Sequence, residues 1–111
     1  MLPLLLAAAA IPLTPQESAD IRCVAVIGIA ARALGDTAKA NGRDYAVVVG
    51  ADIMDRTGRT REEVANLMLA QGKDAVATRP AALEENGCFL RANARLAADN
   101  AATTPLPGPI R

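Results

Sequence analysis

The side chains in this chain that could do chemistry are few. They are Cys23 and Cys88, the carboxylates Asp52, Asp55, Glu62 and Glu63, and hydroxyls such as Ser18. There is no histidine, which removes the commonest metal ligand and the commonest general base near neutral pH. A Ser/His/Asp triad is therefore excluded, and Ser18 has no imidazole to activate it. A redox-active cysteine pair usually has Cys-x-x-Cys spacing, which Cys23 and Cys88 lack. Two cysteines without histidine also fall short of a structural zinc site. The four carboxylates do not alternate along a glycine-containing loop as calcium ligands do, so they read as a solvated face. Lys39 and Lys73 lie in polar surroundings and read as ordinary surface groups.

What remains is the cysteine pair. In an exported chain, Cys23 and Cys88 read as one disulfide. The alternative is two buried free thiols acting as small apolar residues. A bridge would close a loop of about 65 residues, which the chain-entropy relation values at roughly 4 kcal/mol.

The elements that must position these cysteines follow from caps and periodicity. Thr14-Pro15-Gln16-Glu17 combines a threonine cap, proline at the first helical position and glutamate three residues after the cap. This predicts a helix over Pro15 to Leu34, stopped by Gly35. Cys23, Ile27, Ala30 and Leu34 share one stripe, and Ile21, Val24, Ala25 and Gly28 another. A helix so apolar must be covered on most sides, and Gly28 suggests a close helix crossing. The run Val24 to Ala30 also looks like the strand of a dinucleotide-binding unit. However, Ala30 and Ala33 stand where that turn needs glycine, and the helix cap lies upstream.

Thr37 to Gly42 reads as a loop or a short helical turn. Asp44 caps a second helix from Tyr45 to about Arg56, although Tyr45 to Val49 is also good strand material. Asp52 and Arg56 have favourable i,i+4 spacing. Thr60-Arg61-Glu62-Glu63 is a second capping box, opening a helix with Val64, Leu67, Met68 and Ala75 on one face. A fourth helix runs from Pro80 to about Asp99. Its expected buried stripe is Leu83, Gly87, Leu90, Ala94 and Ala97, with Arg91 and Arg95 on the other side. Residues 101–111 hold Pro105-Leu106-Pro107-Gly108-Pro109 and read as a disordered tail.

The apolar start, Leu4-Leu5-Leu6 followed by Ala7 to Ala10, is too short to span a bilayer as a helix. It reads as a secretory signal with a small-residue cleavage site at Ala8-Ala9-Ala10. The alternatives are an apolar arm packed on the domain and a retained membrane anchor. The domain boundaries are thus 1–13 for the leader, 14–100 for the helical domain and 101–111 for the tail. Apolar residues make up 51% of the chain but aromatics only 2%, so the core should be thin and built from Leu, Ile, Val, Met and Ala. Formal net charge is zero, with the basic residues dispersed among the acids, which argues against a nucleic-acid partner.

Arg22-Cys23-Val24-Ala25-Val26, the block Tyr45…Gly50…Arg56-Thr57-Gly58-Arg59, and Gly87-Cys88-Phe89-Leu90 followed by Leu96 form a pattern. It resembles small, secreted, all-helical proteins of alphaproteobacteria, particularly sphingomonads. That resemblance covers about Asp20 to Leu96 and implies a helical fold, export and a disulfide, with no activity attached. A looser similarity is to periplasmic acid-stress chaperones of the HdeA type, from which this chain departs in length and cysteine separation.

The expectation is an all-α bundle of about four helices, with the first and last joined through Cys23 and Cys88. It would be a periplasmic or secreted, non-enzymatic structural or interaction protein with no cofactor and no metal. An acid-stress chaperone is the alternative. The partner would be another protein. The thin, alanine-rich core admits a helix-to-helix homodimer, and membrane contact would require an uncleaved leader.

Overall fold

The computed structural model describes residues 11–103. Over these residues the protein is all-α, with helices α1 (Pro15–Leu34), α2 (Asp36–Thr57), α3 (Arg61–Thr78) and α4 (Ala82–Thr103). The α1 and α3 starts are the two capping boxes read from the sequence. Thr14 Oγ1 accepts from Glu17 N at 3.0 Å and Thr60 Oγ1 from Glu63 N at 3.1 Å, and each glutamate reaches back to the cap nitrogen. Val24 to Ala30 lies wholly within α1, and Tyr45 to Val49 within α2.

Two element boundaries differ from expectation. Thr37 to Gly42 is helix, not loop, and Asp44 lies inside α2 instead of capping it. Ala38 and Ala40 favour helix, and Asp36 in the first turn complements the helix dipole. A single residue, Gly35, joins α1 to α2 at φ +100°, a conformation that side chains disfavour. Helix α4 also continues to Thr103, past the end expected near Asp99. The cleavage site at Ala8-Ala9-Ala10 and residues 104–111 lie outside the described residues.

Helix α1 packs against all three others, which answers its all-round apolar character. Helices α3 and α4 flank the α1–α2 pair without touching each other. The close approach falls at Gly42, not Gly28: a β-carbon on Gly42 would sit 3.2 Å from Ile27 Cγ2, whereas Gly28 faces open space. The core is Ile21, Cys23, Val26, Ile27, Tyr45, Val49, Ile53, Val64, Cys88 and Ala92. Leucine was expected there, but Leu13, Leu67 and Leu96 only edge the cluster. At the centre is the lone tyrosine, Tyr45, fully buried. On α3, Val64 and Ala75 are buried and Leu67 and Met68 partly so, the face its spacing predicts.

The expected buried stripe of α4 is a correction. Leu83 is 84% exposed and Leu90 71% exposed, and Gly87 and Ala94 are exposed beside them. Cys88 and Ala92 are the buried residues of α4, and Arg91 and Arg95 lie on the packed side. Periodicity places these residues on one side of α4, but that side turns outward. The bridge to α1 and the partners of the arginines decide the rotation.

Candidate functional site

Cys23 and Cys88, in α1 and α4, form a disulfide with their Cα atoms 5.0 Å apart. It staples the central helix to a flanking one. Around it the charged side chains converge on α1 from three directions.

The first cluster centres on Asp20, one turn before Cys23 and only 7% exposed. Its Oδ1 accepts from the Tyr45 hydroxyl at 2.6 Å and from Arg91 Nε at 2.6 Å. Arg95 Nη1 lies 3.6 Å from Oδ2, and the other Arg95 amino group pairs with Asp52. Arg91 also donates to Gln16 O at 3.1 Å. Burial, and then the hydrogen bond to Asp20, raise the Tyr45 phenol well above its ordinary value, so it stays a donor. Oδ1 thus accepts two hydrogen bonds while Oδ2 faces Arg95, so this one carboxylate anchors α1 to α2 and α4.

The second cluster holds the chain entering α1. Arg56 donates to both oxygens of Glu17, Nε at 2.7 Å and Nη2 at 2.5 Å, and to Pro12 O at 2.8 Å. Arg59 donates to Ile11 O at 2.7 Å. The Arg56 hydrogen bonds are the main reason the Glu17 carboxyl drops from 4.5 to about 2, with Thr14 adding to the effect. The sign follows from linkage. A depressed carboxyl contributes stability that is present above pH 4.5 and lost as pH falls towards 2. An acid titration of unfolding should therefore show a component between pH 4.5 and 2 that disappears in Glu17→Gln; an identical profile in that variant would refute the assignment.

The third cluster ties α3 and α4 to α1. Arg22 donates to Asp74 at 2.7 Å, to Glu84 at 3.0 Å and to Thr78 Oγ1 at 3.2 Å. Among the described residues, no buried side-chain polar atom lacks a hydrogen-bond partner. Of the four acids seen in the sequence, Asp52 meets Arg95 and Glu63 serves the cap of α3. Asp55 and Glu62 are exposed. The expected Asp52–Arg56 pairing gives way to Arg56–Glu17. No three acidic or cysteine side chains converge as a metal site among the described residues.

Sequence reasoning missed Asp20, Tyr45, Arg22, Arg56, Arg91 and Arg95. One signal was present: Asp20 stands at helical spacing from Cys23 and Ile27, on the stripe read as buried, and a buried acid requires cationic or donor partners.

Apolar side chains, by contrast, remain outside. Val47 on α2 is 69% exposed, and Leu69 and Val76 on α3 are 62% and 63% exposed. A groove of about 460 Å³ runs between α2 and α3, lined by Ala46, Val47, Gly50, Ala51, Met54, Val64, Ala65 and Met68, with Arg61 at its edge. Methionines in such a surface adapt to varied apolar partners. Among the described residues no helix is long and apolar enough to cross a membrane. No protein-family model matches the chain, and no curated protein and no solved structure does either.

Proposed function

We propose that this is an exported, non-enzymatic interaction protein that binds a short apolar helix of another protein in the α2–α3 groove. One observation carries the reading: the polar side chains of the interior are spent on one another, while an apolar trough with two methionines is left facing outward. Two helices side by side present a natural seat for a third, read through anchors at i, i+3 or i+4, and i+7. The stretch from Ala46 to Met54 is about 12 Å long at 1.5 Å per residue, room for two turns of a partner. The disulfide supports an oxidising, exported location.

The test is selection of random 12-residue peptides on the oxidised protein. The expected outcome is enrichment of sequences with apolar residues at helical spacing. Val47→Asp should weaken their binding at least tenfold with the helical signal unchanged, because Val47 is a surface residue of the fold. Absence of any enriched pattern, or binding indifferent to Val47→Asp, would sink the proposal. So would turnover of a substrate by the pure protein that a point substitution abolishes.

A second reading, the acid-stress chaperone, is favoured by the chemistry of the helix contacts. Glu17, Asp20, Asp52, Asp74 and Glu84 tie helices together through arginines, and the Glu17 contribution is lost as pH falls towards 2 while the disulfide persists. The same acid titration, run with an aggregating client, separates the two readings. A flat response at low pH removes the chaperone.

A further inference from the structure

We infer that the outward face of α4 is the contact of an antiparallel homodimer, in which each leucine of one copy meets a glycine or alanine of the other. The starting observation is that α4 is built inside out. Its Glu84, Arg91 and Arg95 turn toward the bundle to make ion pairs, while Leu83 and Leu90 are 84% and 71% exposed. The outward stripe reads Leu83, Gly87, Leu90 and Ala94, spaced four, three and four residues apart, with half-buried Ala97 three residues further on. That is the seam spacing by which two helices pack knobs into holes. No charged residue interrupts it.

The order of large and small residues along this seam selects the occupant. Antiparallel pairing of two copies about a point between Cys88 and Phe89 sets Leu83 against Ala94 of the other copy and Gly87 against Leu90. All four layers then combine one leucine with one small residue, so knobs fill holes throughout. Parallel pairing would stack Leu83 on Leu83 and Gly87 on Gly87, alternating bulges with voids, which packing disfavours. The exposed Asn86 and Asn93 flank the seam. A two-fold contact of this kind is self-complementary, as an isologous interface must be. The face is separate from the α2–α3 groove, so it stands or falls independently of that proposal. Four layers make a small interface, below about 1,200 Å² in total, the size range of weak association.

The test is sedimentation of the oxidised protein, purified from its native host, over a concentration series reaching about 500 µM, with affinities read by the usual conversion. The expected result is a concentration-dependent rise to twice the single-chain mass. Leu90→Asp should raise the dissociation constant roughly 100-fold, because the carboxylate would be buried opposite Gly87 without a partner. Leu90 contributes little to the monomer, so the variant should keep its helical signal and thermal transition; Leu90→Ala serves as a milder second variant with a smaller shift in the same direction. Val47→Asp should leave the association intact. A photo-crosslinker placed at position 90 should give an adduct mapping to the peptide that holds Gly87. A single-chain mass at every concentration overturns the inference, as does a dimer unmoved by either Leu90 variant. An adduct mapping to position 90 itself, with none to Gly87, overturns the register.

Discussion

Removing the Cys23–Cys88 bridge, by reduction or by replacing both residues with alanine, is expected to lower the unfolding free energy by about 4 kcal/mol. The estimate rests on the entropy that a 65-residue separation restores to the unfolded chain. A domain of this size has of order 5–15 kcal/mol in total, so the reduced form should be marginal. In urea the midpoint should fall by roughly 2–3 M. Both cysteines are joined in the bridge, so alkylation should require prior reduction, visible in the intact mass of material from its own host. Thiols that react without reduction would contradict both the bridge and an oxidising location. A shift of the midpoint below about 0.5 M would show that packing, not the crosslink, holds α4 on α1.

The second large effect is expected at Asp20. Asp20→Ala should destabilise the fold by about 3 kcal/mol, because it strands the buried Tyr45 hydroxyl and leaves Arg91 without its main counter-charge. Tyr45→Phe alone should cost about 1.5–3 kcal/mol, the value of a hydrogen bond to a charged group. The double variant should lose clearly less than the sum, since both changes remove the same bond. Strict additivity of the two, or a loss below about 0.5 kcal/mol for Asp20→Ala, would mean that the cluster does not join the helices energetically. The crosslink and this cluster act within one turn of each other on α1, so they fix the rotation of α4 together.

Much of the fold was legible in the sequence because its signals are local. Both capping boxes, the proline at the start of α1 and the glycine stops at Gly35 and Gly58 depend on neighbours a few residues away, and helix boundaries followed from them. The helical character of Thr37 to Gly42 was not legible, because Gly42 is a helix breaker until Ile27 is found occupying the space its side chain would need. The orientation of α4 was hidden for a similar reason. An apolar stripe marks one side of a helix, and only distant partners decide which side is turned inward. Here those partners are Asp20 and Glu17's neighbour Gln16, more than 70 residues from Arg91. The ion pairs that hold the interior together were unreadable for the same cause, although Asp20 among apolar neighbours asked the question. The groove was less legible still, since Met54 and Met68 read equally well as core.

The single-residue connection at Gly35 has a consequence for how the chain reaches this state. Helices α1 and α2 form a hairpin from adjacent sequence, and that pair already contains most of the core, so its formation needs little loop closure. Docking helix α4 brings Cys88 to Cys23 across a separation of 65 residues. With two cysteines in the sequence there is one intramolecular pairing to make, and oxidation cannot trap a mispaired isomer. Covalent closure therefore acts as a latch between the central helix and α4, holding α4 in place once it has docked.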